Sequence, residues 1–259
     1  MSAVLSAKGL TKRFGGLTAV SGVDLEVGAG EIVGIIGPNG AGKTTFFNCL
    51  TGLEAPTEGS VALCGVPLSG RPDEVARAGV ARTFQNIRLF PNMTGLENVL
   101  VGEHTHISVG VLAAVVRGPR YWREERAAAA RARELLELVG LGSAASELAR
   151  NLSYGDQRRL EIARALATRP KVLLLDEPTA GMNATETAAT ASLVRAIRSQ
   201  GLAVVLIEHD MRFVFTLCDR VAVLVQGAKL TEGTPAQVQA DPRVVAAYLG
   251  ESTHEEGEP

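Results

Sequence analysis

The chain is predicted to be an α/β protein: a parallel sheet covered by helices, with an antiparallel β subdomain and an inserted helical subdomain. Three observations lead there. The runs at 32–36, 171–175 (apolar after Lys171) and 203–207 lack polar alternation, as strands buried on both faces do. Helix-length segments separate them. The first run passes directly into Gly37-Pro38-Asn39-Gly40-Ala41-Gly42-Lys43-Thr44-Thr45 and then into a helix beginning near Phe46. That is the strand–loop–helix setting of a phosphate-binding loop.

The loop explains its own composition. Its glycines let the backbone wrap a phosphate closely with the N–H groups pointing inward. The helix start behind it adds partial positive charge. Lys43 is placed to reach β- and γ-phosphates, the Thr44 hydroxyl to ligate Mg²⁺, and the Thr45 hydroxyl to lie near an α-phosphate. A glycine-rich turn beside a surface lysine is the plain alternative. The full match in this context weighs against it.

Composition sets the bounds. The 259 residues are 46% hydrophobic with a net charge of −2, so a large core can form and no basic surface marks a nucleic-acid binder. Cys49, Cys64 and Cys218 are odd in number and scattered, which suits a reducing compartment rather than a disulfide framework. No secretory signal is read at the N-terminus, and no apolar stretch approaches membrane-spanning length. Any membrane role is expected to come through a partner.

In chain order, residues 4–14 and 17–27 alternate apolar and polar and meet at Gly15-Gly16, as antiparallel strands do. Phe14, just before that turn, is either core or a surface for an adenine ring. A strand is expected at 60–63, a short helix at 71–77 and a strand at 80–84, ending at Gln85. A polar sensor of the phosphate site would sit at such a strand end. From 86 to about 155 the pattern becomes helical, with helices at 95–102 and 123–141. The apolar segment 107–118 lies between them. Ser153 is a candidate N-cap for a helix running to Ala167. The strand at 171–175 ends in Asp176-Glu177. Asp176 is placed for the Mg²⁺ shell and Glu177 to take a proton from an attacking water. A helix at 185–199 and the strand at 203–207 lead to His209, which can hydrogen-bond a γ-phosphate. Strands at 221–225 and 229–232 and a helix at 243–249 follow. The acidic tail 251–259 is expected to be disordered. One domain is expected over 1–250, with 87–155 as the helical insert.

With these segments in hand, the chain resembles the ABC ATP-binding cassette family from end to end. The resemblance implies a Walker A at 37–45, a Q-loop at Gln85, a signature motif at 152–156 and a Walker B at 172–176 followed by Glu177. It also implies a D-loop at 180–183 and a switch histidine at His209. Gln85, Glu177 and His209 would serve catalysis, and Thr44, Gln85 and Asp176 the metal. Ser153 and Gly155 would contact a nucleotide held by an opposing cassette. Cofactors would be ATP and Mg²⁺. Partners would be membrane permease subunits, a second cassette (a different sister subunit or an identical copy), and indirectly a solute-binding protein, at the cytoplasmic face of the membrane. The stretches 79–90 and 154–163 look like those of branched-chain amino acid importers. Urea and amide importers share much of this pattern, and a lipopolysaccharide-type exporter is similar in size. Soluble ABC ATPases usually carry paired cassettes or long insertions. A non-catalytic regulator conflicts with the presence of both Lys43 and Glu177. Tyr154, Asp156 and Asn183 depart from the general pattern at the signature and D-loop, and Phe14 replaces the commoner tyrosine.

Overall fold

A computed structural model describes residues 3–68, 70–103 and 119–249. Its centre is the predicted set of apolar runs. Strands β3 (Ile32–Ile36), β7 (Val172–Asp176) and β8 (Ala203–Ile207) are buried at every position. Their side chains alternate between two cores. Ile32, Ile36, Leu173, Leu175, Val204 and Leu206 face one core. Val33, Ile35, Val172, Leu174, Val205 and Ile207 face the other. Burial on both faces is why these strands are uninterrupted apolar runs.

The central sheet has the order β10-β9-β3-β8-β7-β6, with β6 at Val80–Arg82, β9 at Arg220–Val225 and β10 at Ala228–Gly233. All neighbours are parallel except β9 and β10, which form an antiparallel hairpin. The register pairs Ile35 with Ile207, and Asp176 with the same Ile207. The carboxyl ends of β3, β7 and β8 therefore finish at one level, where parallel sheets build their sites. A second sheet has the order β2-β1-β4-β5, all antiparallel: β1 Ala3–Phe14, β2 Leu17–Gly28, β4 Glu58–Leu63 and β5 Val66–Pro67.

Helices α1 (Lys43–Leu50) and α2 (Pro72–Ala78) lie near the antiparallel strands and β6. Helices α3 (Gly95–Glu103), α4 (Pro119–Leu138) and α5 (Tyr154–Ala167) pack on one another, and α5 also meets β6. Helix α5 thus links the helical layer to the central sheet. The later helices are α6 (Ala184–Ser199), α7 (Met211–Leu217), α8 (Pro235–Gln239) and α9 (Pro242–Leu249).

Several boundaries and elements differ from expectation. The strand at 80–84 ends at Arg82, because the chain leaves the sheet to carry Gln85 toward the site. The helix expected at 123–141 ends at Leu138, where Gly140 turns left-handed at φ 74°. Helices α7 and α8 and strand β5 add elements the periodicity did not mark. The segment 107–118 and the tail 251–259 fall outside the described residues. Among the described residues no helix is long and apolar enough to cross a membrane.

Candidate active site

The loop after β3 curls around Lys43. Its ammonium is buried and donates to the carbonyls of Gly37 at 2.6 Å and Pro38 at 2.8 Å. Two glycines have steric reasons to be there. A Cβ on Gly37 would lie 2.0 Å from the Leu224 carbonyl oxygen, and one on Gly42 would lie 2.3 Å from that of Ala19. Gly40 and Gly42 take φ of 74° and 92°, conformations that turn neighbouring N–H groups into one concavity. Helix α1 starts there without a side-chain cap, so its first N–H groups remain available to an anion.

These elements open a cleft of about 650 Å³, lined among others by Phe14, Asn39, Gly40, Ala41, Gly42, Lys43, Thr44, Thr45, Glu177 and His209. Thr44 is exposed in it. Phe14 is 45% exposed rather than core, and Lys12 Nζ sits 4.7 Å from its ring centroid. The expected P-loop residues, the acid and the histidine therefore share one wall. Gly37 and Pro38 do not line the cleft; their carbonyls hold the Lys43 ammonium.

Glu177 is held from two sides. One carboxylate oxygen accepts from Gln85 Nε2 at 3.0 Å, and the other lies 3.0 Å from His209 Nε2. Residues from the ends of β6, β7 and β8 thus meet at one carboxylate. Its backbone is left-handed at φ 48°, a conformation costing a non-glycine residue about 1–3 kcal/mol and met mostly at functional sites. Asp176 sits one step behind. It is 5% exposed and pairs through Oδ2 with Arg82 at 2.6 Å. Arg82 also donates to Asn48 Oδ1 on α1 at 2.7 Å, tying the carboxylate to the phosphate helix.

The donor set fits Mg²⁺, which takes hard oxygens. Thr44 offers a hydroxyl in the cleft. Gln85 gives its N–H to Glu177, so its carbonyl oxygen is the end left for a cation. Asp176, neutralised by Arg82, suits a water-mediated place in the shell. Among the described residues no cluster of three His, Cys, Asp or Glu side chains forms a metal site. A cation here would need the oxygens of a bound phosphate.

Ser153 and Gly155 do not line this cleft. Ser153 is exposed and caps α5, its Oγ accepting from the Asp156 N–H at 3.2 Å. Gly155 is buried, and a Cβ there would meet Glu186 Oε1 of the same chain at 2.7 Å. The departures from the common motifs also have local partners. Asn183 caps α6 in a capping box with Glu186. Asp156 pairs with Arg159, and the Tyr154 hydroxyl accepts from Arg158 at 2.9 Å.

Sequence reasoning missed several supports. Gln226 and Gly227, in the β9–β10 turn, line the cleft, and the Gly227 N–H donates to Ala41 at 3.1 Å. Their signal was a polar-glycine pair between two apolar runs. Buried Glu208 accepts from the Thr179 N–H at 2.8 Å and from the His209 N–H at 3.0 Å, joining the loops that carry Glu177 and His209. Arg82 carried no local signal.

The phosphate-binding loop, with Glu177 set against it between Gln85 and His209, is that of an ATP-binding cassette. The chain belongs to the ABC transporter family, whose model matches residues 20–180. A second model, for the branched-chain amino acid ATP-binding cassette transporter, matches residues 228–254. The chain is 50% identical to the high-affinity branched-chain amino acid transport ATP-binding protein BraF of Pseudomonas aeruginosa, over 96% of this chain and 98% of the relative. Its fold matches the ADP conformation of MJ1267, an ATP-binding cassette of an ABC transporter. The TM-score is 0.84 at 32% identity, covering 96% of this chain and all of that one. It also matches the dimeric structure of MJ0796, a bacterial ABC transporter cassette, with a TM-score of 0.75 at 28% identity, covering 89% and 98%.

Proposed function

We propose that this chain is the ATP-hydrolysing subunit of a branched-chain amino acid importer, acting on membrane permease subunits from the cytoplasmic face. The observation that carries the catalytic part is Glu177, fixed between Gln85 and His209 at the wall of the P-loop cleft. The substrate class rests on the 50% identical relative and on the C-terminal family match.

The reaction is ATP + H₂O to ADP and phosphate. The loop N–H groups, the start of α1 and Lys43 hold the phosphates, while Phe14 offers its exposed ring to the base. Glu177 takes a proton from the attacking water as that oxygen bonds to the γ-phosphorus and the bond from phosphorus to the β–γ bridging oxygen breaks, that oxygen leaving with its electron pair on ADP. His209 and Gln85 keep the carboxylate aimed. Bound Mg²⁺ supplies charge neutralisation at the phosphate oxygens, with Thr44, Gln85 and Asp176 as its protein side. Ser153 completes the site of an opposing cassette, a different sister subunit or a second copy of this chain; neither Ser153 nor Gly155 lines the cleft of its own chain.

The permease contact is assigned to the apolar groove between β6 and the helical layer. It has a volume of about 410 Å³, and Leu53, Phe84, Phe90 and Val101 line it. A solute-binding protein would meet the permease on its far side.

Lys43→Ala tests the catalytic part. It removes the cation inside the loop, so ATP affinity and hydrolysis should both collapse while circular dichroism stays native. Wild-type turnover in the folded variant would refute the assignment.

A further inference from the structure

Helix α5 grips the Gln85 segment by its backbone. Arg158 is 3% exposed; its Nη1 donates to the Phe84 carbonyl at 2.6 Å and its Nη2 to the Gln85 carbonyl. One turn on, Glu161 accepts from the Arg88 N–H at 3.3 Å, and Arg164 donates to the Arg88 carbonyl. Residues three apart on a helix share a face, so one stripe of α5 holds both ends of the segment.

Arg158 is poorly placed for a purely stabilising role. It is a buried charge whose Nε meets no hydrogen-bond partner among the described residues, and its ion pair with Glu161 spans 3.7 Å. A partly satisfied buried network stabilises less than an apolar core would, which fits a use other than stability. Tyr154 aims this guanidinium. The phenol oxygen accepts from Arg158 Nη2 at 2.9 Å, and the guanidinium carbon lies 5.3 Å from the ring centroid. The ring itself rests over Gly181, where an added Cβ would come within 3.3 Å of it. Tyr154 thus spans from the loop following Glu177 to the arginine that holds the Gln85 backbone.

We propose that Tyr154 and Arg158 form one positioning unit. The fork of Arg158, aimed by Tyr154, sets the Phe84–Gln85 backbone and so delivers the Gln85 amide to Glu177. Tyr154, which departs from the general signature pattern, thereby acts within its own chain. This rests on the reading that Glu177 serves ATP hydrolysis.

The test is a kinetic double-mutant cycle on the full-length chain in the assembled cassette pair. Tyr154→Phe and Arg158→Lys are each made in the wild type and in Gln85→Ala. Tyr154→Phe keeps the ring on Gly181 and removes only the hydroxyl, so kcat should fall about fivefold, the worth of one hydrogen bond. Arg158→Lys leaves a point charge that cannot bridge two carbonyls, and kcat should fall about tenfold or more. ATP affinity, measured separately, should stay unchanged in both. In the Gln85→Ala background both losses should vanish, because the unit acts through Gln85. Equal fold-losses in the two backgrounds, or no loss in kcat, would overturn the proposal and leave Arg158 a packing residue. If Arg158→Lys does not fold, the Tyr154→Phe cycle decides alone. If Gln85→Ala and Glu177→Gln both keep full turnover, the active-site reading has failed, and this unit falls with it.

Discussion

Replacing Glu177 with Gln tests its proposed role as the base apart from everything around it. The carboxylate oxygens face Gln85 Nε2 and His209 Nε2, each at 3.0 Å. Glutamine keeps one oxygen for the Gln85 amide. Its new N–H can donate to His209 if that ring shifts its proton to Nδ1. Both contacts survive as neutral hydrogen bonds, weaker by about 1 kcal/mol each than charge-assisted ones. The left-handed backbone at this position is unaffected by the change. What is lost is proton abstraction, worth about 10²–10⁴-fold in rate. At about 1.4 kcal/mol per decade, that adds roughly 3–5 kcal/mol to the barrier. ATP binding persists, because Lys43, Thr44 and the loop N–H groups are untouched. ATP trapped at the interface should then hold two cassettes together. Size-exclusion chromatography should show a dimer with ATP and none with ADP, with the opposing cassette present in the assay if it is a different chain. Adding Ser153→Arg should abolish that dimer while a single cassette still binds ATP. Hydrolysis by Glu177→Gln at the wild-type rate would remove Glu177 from the mechanism. A dimer indifferent to Ser153→Arg would remove the signature from the interface.

Other outcomes follow from the same geometry. Gly37→Ala should destroy nucleotide binding and lower the melting temperature, because its Cβ would lie 2.0 Å from the Leu224 carbonyl oxygen; native binding would show that the loop can shift. Phe90, 44% exposed in the apolar groove, should accept Phe90→Glu with basal ATPase intact but lose permease co-purification and transport. Loss of basal ATPase with unfolding would return Phe90 to the core. Burial pushes the Cys49 and Cys218 thiols up to about 11 and about 12, whereas Cys64 is exposed. At pH 8 only Cys64 should react with a thiol reagent in the folded chain, and all three after denaturation. Fast labelling at Cys218 would contradict the core packing.

The central sheet and the phosphate loop were legible because each has a local signature. Uninterrupted apolar runs mark strands buried on both faces, and the glycine-lysine loop follows one of them. Helices α7 and α8 were also written locally, in signals that periodicity overlooks. Asp210 caps α7 by accepting from the Arg212 and Phe213 N–H groups. Thr234, Pro235 and Gln237 spell a capping box with proline at the first turn of α8. The overrun of α4 reflects a C-terminal glycine given too little weight. The supports of the site were not legible. Arg82 meets Asp176 across 94 positions, and Arg158 meets the Phe84 carbonyl across 74. Such pairs exist only once the sheet brings strand ends together, so no window of sequence contains them. Gln85 and His209 could be placed at strand ends, but not on the two oxygens of one carboxylate.

ATP turnover at this site is proposed to power branched-chain amino acid uptake. The direct measurement is initial-rate uptake of labelled leucine and labelled urea, at low external concentration, in cells lacking the chain. Wild-type and Lys43→Ala chains are then supplied to those cells. Leucine uptake should be lost, restored by the wild type and not by Lys43→Ala, with urea uptake unchanged throughout. Normal leucine uptake with lost urea uptake would contradict the substrate assignment, and rescue by Lys43→Ala would contradict the dependence on this site.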